Sequence, residues 1–219
     1  MNGIKSFVRR TGQITRAQER AIGELSRYII SSEEKELIHF DTYFSKKNVV
    51  VEIGFGMGLA TYQIAQANPQ TGYLGFEVYP AGVGKLLLAI EEHQLKNLYI
   101  VQDDAVACVP TMIADATLAG VHLFYPDPWP KKRHHKRRIL QKEFIHLLAS
   151  KLKVGGYLYI VTDWQEYAEE ILARLMVEPL LKNRYDDYAE PQSWRPMTRF
   201  NEKANEAGRS SWELFFTRI

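Results

Sequence analysis

A single cysteine, Cys108, is all the thiol chemistry available to this chain of 219 residues. That excludes an internal disulfide and a cysteine-rich metal site. Its neighbours Ala107 and Val109 make a packed, inert thiol the expectation, rather than a nucleophile. Long hydrophobic runs are also missing: no stretch approaches the roughly 18 apolar residues of a membrane span. Met1–Phe7 has no apolar centre of the kind a secretory leader carries, and Arg9-Arg10 is followed by Thr11-Gly12-Gln13 where a twin-arginine leader would turn apolar. A cytoplasmic protein is the resulting expectation, with no membrane partner. There is no internal repeat and no low-complexity tract. Disorder of the whole chain is excluded as well, because 46% of residues are hydrophobic and only 25% are charged.

Net charge is a bland +2, but its distribution is uneven. Between Lys131 and Lys142 stand seven Lys or Arg and no Asp or Glu; subtracting that +7 from +2 leaves −5 for the rest of the chain. Concentrated positive charge of this kind is the footprint of a protein that meets a polyanion.

Residues 1–20 are polar and basic, the first dozen expected to be mobile, with Thr15-Arg16-Ala17-Gln18 spelling a capping box ahead of a helix. From there strands and helices alternate. The β-branched run Asn48 to Ile53 reads as a buried strand. Further strands are expected at Tyr73–Val78, Leu98–Val101, Val121–Tyr125, Tyr157–Thr162 and, antiparallel, Trp212–Ile219. Helices are expected at Leu59–Ala67, from Pro80 to about Gln94, at Val109–Leu118, over 136–152 and from Gln165 to Val177. Such alternation implies parallel pairing with right-handed crossovers, hence a doubly wound α/β sheet, which at this length fits one domain.

Directly after the first strand comes Glu52-Ile53-Gly54-Phe55-Gly56-Met57-Gly58. Glycines at a strand-to-helix turn let a ligand approach the backbone; alone they would mark no more than a tight turn. The dinucleotide fingerprint G-x-G-x-x-G would need a third glycine at position 59, which is Leu59; here it comes one residue early, at Gly58. An acid followed by G-x-G-x-G resembles instead the S-adenosylmethionine methyltransferases. Glu77, 23 residues after Gly54 and at the end of the second strand, is placed to accept from two ribose hydroxyls. Asp104 follows the third strand, at a position that typically contacts adenine in such enzymes, with Asp103 as its exposed neighbour. Glu52 suits the cationic methionine end. Three acids around a sulfonium make chemical sense; around a pyrophosphate they would repel.

Doubly wound sheets bind ligands where strand order reverses, between the first and fourth strands in the usual order. The loop after the fourth strand should therefore face the glycine turn. It reads Tyr125-Pro126-Asp127-Pro128-Trp129-Pro130, three prolines that stiffen the backbone around Asp127. Trp129 is either a platform for a base or a cover for the core. The longer stretch Phe124 to His134, with Lys136-Arg137-Arg138 beyond it, resembles the signature of the bacterial tRNA guanine-N7 methyltransferases, whose glycine turn is also similar to Val51–Gly58. The resemblance runs from about Arg9 to the C-terminus. It implies the class I S-adenosylmethionine methyltransferase (Rossmann-like) fold with a mostly parallel seven-stranded sheet, divided into a basic arm and helix (1–45) and one methyltransferase domain (46–219). It implies methyl transfer to N7 of the variable-loop guanosine, position 46, of tRNA. It implies cofactor binding by Glu52, Gly54, Gly56, Gly58, Glu77, Asp104 and Asp127, with Asp127 also catalytic, and substrate binding by Lys131, Arg133, Lys136, Arg137, Arg138 and Asp163. Thr198-Arg199-Phe200-Asn201 is similar to a substrate motif that usually ends in Glu, so either Asn201 or, with a one-residue shift, Glu202 fills that position. No metal is implied, and monomer and homodimer both stay open.

Guanine N7 has an in-plane lone pair and no hydrogen, so its methylation needs alignment rather than a strong base. Positioning of this kind supplies about 7–11 kcal/mol of a barrier. Asp127 or Asp163 would accept from guanine N1–H and its amino group. The basic segment reads either as a solvated face or as a phosphate contact. The absence of offsetting acids favours phosphate, since like charges at helical spacing repel. His134 and His135, adjacent and pointing apart, make a poor metal pair. Three other readings share some of these features: a nicotinamide oxidoreductase, opposed by the glycine spacing; a non-catalytic RNA-binding module, which leaves the strand-end acids unexplained; and a methyltransferase for another RNA base.

Overall fold

The run Asn48–Ile53 forms the central strand β1, buried at every position after the first. In the computed structural model, which describes residues 5–7, 13–45, 48–196 and 210–219, it sits in a seven-stranded sheet. The other strands are β2 (Thr71–Phe76), β3 (Leu98–Val101), β4 (Leu118–Phe124), β5 (Leu152–Thr162), β6 (Leu181–Asn183) and β7 (Trp212–Arg218). Their order is β3-β2-β1-β4-β5-β7-β6. Strands β1 to β5 pair in parallel, and β7 runs antiparallel between β5 and β6. The chain thus winds outward from β1 to β3, then restarts at β4 on β1's other side.

Helices α1 (Arg16–Glu24), α2 (Phe40–Phe44), α3 (Leu59–Ala67), α4 (Pro80–Glu92), α5 (Ala105–Met112), α6 (Lys142–Lys151) and α7 (Gln165–Met176) flank the sheet. Alternation along β1 sends Val50 into an apolar cluster with Ile64, Leu86, Leu87 and Ile90. Val51 goes to the opposite face, with Val109, Leu148 and Ile171. The stretch read as an arm and helix joins both clusters: Ala21 packs in the first, Phe44 in the second. Helix α1 has the expected reciprocal capping box of Thr15 and Gln18. Ile30 N–H donates to Ile100 O at 2.8 Å, laying the chain along the β3 edge.

Two helices differ from expectation for local reasons. Asp104 accepts from Val106 N–H and so starts α5 at Ala105, four residues early, leaving Leu118 to open β4. The continuous helix expected over 136–152 is a 3-10 turn at Lys132–Arg137, a break, and then α6. At the break Arg138 leaves helical geometry, with φ −56° and ψ 129°, and turns its side chain inward. Strand β6, three residues long, is too short to show a period and was not foreseen.

Candidate active site

Because β1 and β4 are neighbours, the turn after one and the loop after the other open onto a common cleft of about 210 Å³. Gly54, Gly56, Glu77, Tyr125 and Asp127 line it. A larger hollow, about 390 Å³, lies along residues 30–43 and shares no lining residue with the cleft.

The glycines of the turn are there for conformation. Gly54, Gly56 and Gly58 have φ of 74°, 58° and 73°, in the left-handed region where a side chain is strained. At Gly54 and Gly56 a Cβ would meet nothing within 4 Å, so these two present bare backbone to open space. Gly58 faces Leu86 instead. Phe55, between them, is buried and stacks its ring where Gly75 of β2 has no side chain, pinning the turn to the sheet. Glu77 braces the turn: one carboxylate oxygen accepts from Gly56 N–H at 2.7 Å, the other from Val78 and Tyr79 N–H at 2.7 and 2.9 Å. Gly82 in the first turn of α4 was missed from sequence. A Cβ there would overlap the carbonyl oxygen of Gly56, so only glycine lets α4 approach the turn this closely.

The remaining acids stand around the cleft rather than in its wall. Glu52 is 4% exposed and lies beneath the turn. Burial, with the charge of Glu77 adding and Thr61 opposing, pushes its carboxyl up to about 7. Asp104 caps α5, and burial raises its pKa, with the neighbouring Asp103 charge adding. Asp103 is not the exposed neighbour expected. It is half-buried and accepts from the Ser32 hydroxyl at 2.9 Å and from Asp104 N–H at 2.7 Å. Burial would raise its pKa, but these donors outweigh it and hold the carboxyl below its usual range.

The loop carrying Asp127 is bent sharply at both shoulders, with Tyr125 at φ 52° and Trp129 at φ 45°. Tyr125 N–H donates to Val161 O at 2.7 Å, and its hydroxyl meets that of Ser211 at 3.2 Å. Asp163, just past the end of β5, leaves the sheet beside this loop. Trp129 neither covers the core nor stands clear as a platform. Half-buried at the rim, it donates Nε1–H to Ser6 O at 3.1 Å and carries the Arg137 guanidinium 3.8 Å from its ring centroid. Arg137 also donates to the carbonyls of Lys5 and Phe7, so residues 5–7, expected to be mobile, are held at the cleft mouth.

The basic segment divides. Lys131, just ahead of the 3-10 turn, and Lys132, Arg133 and Lys136 on it are exposed, as a phosphate contact requires. Arg138 is a correction: its side chain is wholly buried and bound to Glu166 and Glu170 of α7, so it presents no charge to RNA. His135, Glu166 and Glu170 approach one another as metal ligands would, but the Arg138 guanidinium already occupies the two acids. A second buried pair was also unforeseen. Arg195 donates to Glu213 at 2.6 Å and to the Tyr159 hydroxyl at 3.1 Å, tying both flanks of residues 197–209 to β5. The sequence hint was Glu213 set between Trp212 and the apolar run Leu214–Phe216. Thr198, Arg199, Phe200 and Asn201 lie outside the described residues.

The glycine turn braced by an acid just past β2 is shared with other doubly wound proteins, but a sheet in the order β3-β2-β1-β4-β5-β7-β6, with β7 antiparallel between β5 and β6, belongs to the methyltransferase class of them. Residues 46–214 match the family model described as a putative methyltransferase. The solved 16S rRNA methyltransferase KamB superposes with a TM-score of 0.62 over 84% of this chain and 94% of that one, at 16% identity, a likeness of fold. The tRNA (guanine-N(7)-)-methyltransferase of Methylobacillus flagellatus is 48% identical over 98% of this chain and 91% of its own length. That of Thiobacillus denitrificans is 43% identical over 98% and 95%. The chain belongs to the tRNA (guanine-N(7)-)-methyltransferase family.

Proposed function

We propose that the protein transfers a methyl group from S-adenosylmethionine to N7 of guanine in tRNA, at the variable-loop guanosine, position 46, and does so in the cytoplasm. The observation that carries this reading is the cleft itself, which the bare glycine turn and Asp127 both line. The residues present suit the cofactor. Open space at Gly54 and Gly56 accepts a ligand against the backbone, and Glu77 supplies a carboxylate beside it. Of the acids around the cleft, Glu52 would serve the cationic methionine end and Asp104 the adenine. When bound, S-adenosylmethionine supplies an electrophilic methyl that the N7 lone pair displaces from sulfur. Everything else asked of the chain is alignment. Asp127 stands on a loop with three prolines, and Asp163 leaves the neighbouring strand, so a guanine edge entering between them meets carboxylates suited to its N1–H and amino donors. Lys131, Arg133 and Lys136 extend from the same loop to meet tRNA phosphates.

The test is methyl transfer from labelled cofactor to tRNA transcripts, with the modified nucleotide mapped. N7-methylguanosine at position 46 is expected, and Asp127→Ala should lower kcat at least a hundredfold while leaving the melting temperature within a few degrees. Methylation elsewhere, or wild-type turnover by Asp127→Ala, overturns the reading. A methyltransferase acting on another RNA base would reveal itself in the same map.

A further inference from the structure

Proline has no amide hydrogen, so a loop built as Pro126-Asp127-Pro128-Trp129-Pro130 can be anchored at its prolines only through carbonyl oxygens. Donors must then come from elsewhere in the molecule. At Pro128 the donor is Arg138, whose Nε–H reaches the carbonyl oxygen at 2.8 Å. The rest of its guanidinium is fixed from behind. One terminal nitrogen donates to Glu166 at 3.2 Å and to Glu170, the other to Glu166 at 3.3 Å, and the plane lies 4.7 Å from the centre of the Tyr167 ring. Glu170 is itself held by Arg174 at 2.6 Å, and Arg174 donates to Leu140 O at 2.5 Å. One face of α7 thus forms a frame for the guanidinium, which in turn holds the carbonyl next to Asp127.

We infer that Arg138 is a positioning residue for methyl transfer: through the Pro128 carbonyl it sets the place of Asp127, and through Glu166 and Glu170 it makes that place depend on α7. It belongs by sequence to a basic run that meets tRNA, yet it contributes nothing to phosphate contact because no part of its side chain reaches solvent. A lysine at this position keeps the charge. It cannot present a planar fork to Glu166, Glu170 and a carbonyl at once.

This inference rests on the proposed role of Asp127, and the experiment separates the two. Wild type, Asp127→Ala, Arg138→Lys, Glu170→Gln and the double variant Arg138→Lys/Glu170→Gln are compared for kcat and KM with tRNA, salt dependence of tRNA binding, and S-adenosylhomocysteine affinity. All are assayed at a temperature where each is folded. Expected is a tenfold or greater fall in kcat for Arg138→Lys, with KM for tRNA, the salt slope and cofactor affinity all within twofold of wild type. Glu170→Gln should lower kcat in the same direction, and the double variant should be no worse than Arg138→Lys alone, since both act through one carbonyl. A folded Arg138→Lys with wild-type kcat overturns the inference, and so does one whose loss lies in tRNA KM and salt slope. If Arg138→Lys fails to fold, Glu166→Gln, a change at a half-exposed carboxylate, carries the test, with about a threefold fall in kcat expected and none overturning it. Should wild type and Asp127→Ala methylate alike, it is the reading of Asp127 that fails.

Discussion

Glu52 and His122 sit buried on neighbouring strands and carry proton-linked costs of opposite sign. Burial lifts the Glu52 carboxyl from 4.5 to about 7. It therefore contributes stability that is complete below pH 4.5 and is lost as pH rises through about 7. His122 is enclosed by Phe124 and Trp194 and has its Nε2 2.8 Å from the Tyr157 hydroxyl. Burial depresses its imidazole from 6.5 to about 3, so its contribution is complete above pH 6.5 and is lost as pH falls toward 3. Between pH 4.5 and 6.5 the two slopes, each at most about 1.4 kcal/mol per pH unit, oppose one another. Glu52→Gln removes one of them. Urea unfolding across that window should show the variant gaining stability with rising pH by about 1 kcal/mol per unit more than wild type does. Parallel curves would show that Glu52 titrates as an ordinary carboxylate. Nothing in the sequence separated Glu52 from a cofactor ligand in the wall of the cleft. Only the pleat, which turns alternate residues to opposite faces, places it beneath the turn.

At the scale of elements, the site depends on how closely α4 approaches the glycine turn. Gly82→Ala places a Cβ on the Gly56 carbonyl oxygen, and because that atom is backbone, the turn and the helix must move apart. Calorimetry with S-adenosylhomocysteine should show at least a tenfold weaker affinity, together with a lower melting temperature. Gly23→Ala in α1, where a Cβ meets nothing within 4 Å, is the contrast. It should leave cofactor affinity alone and stabilise by roughly 0.5–1 kcal/mol through helix propensity. Unchanged affinity in Gly82→Ala would mean the turn does not bind the cofactor as placed. Complete removal of Arg138 is a different matter: it leaves Glu170 to Arg174 alone, takes the guanidinium from Glu166 and empties a fully buried site, which is why lysine serves better as its probe. Gly54, Gly56 and Gly58 were legible because a turn motif is local. Gly82 and Arg138 were not, because their partners lie 26 and 10 residues or more away in the chain.

Across the whole molecule, charge is segregated. The exposed cations Lys131, Lys132, Arg133 and Lys136 project from the cleft mouth, while the rest of the chain is net acidic. Such a field steers a polyanion to one side of the protein. Alanine at Lys131, Arg133 and Lys136 together should weaken tRNA binding and reduce the salt slope by roughly 2, each lost phosphate contact counting for about 0.7–0.9. Cofactor affinity should not change. A slope equal to that of wild type would reduce these side chains to a solvated surface. Among the described residues no helix is long and apolar enough to cross a membrane.

Periodicity and local motifs in the chain determined β1, β3, α3 and the presence of a final strand, the capping box of α1, and the three left-handed glycines, because each depends on residues within one or two turns of one another. They also fixed which acids and prolines stand at strand ends. Tertiary structure alone decided what those groups face: that β1 and β4 lie side by side, that Arg137 spends itself on Trp129 and the N-terminal carbonyls, and that Arg138 turns away from solvent. A row of like charges in sequence carries no record of which side chain finds two carboxylates inside the fold. Burial and pairing are properties of distance in space, and only packing sets those distances.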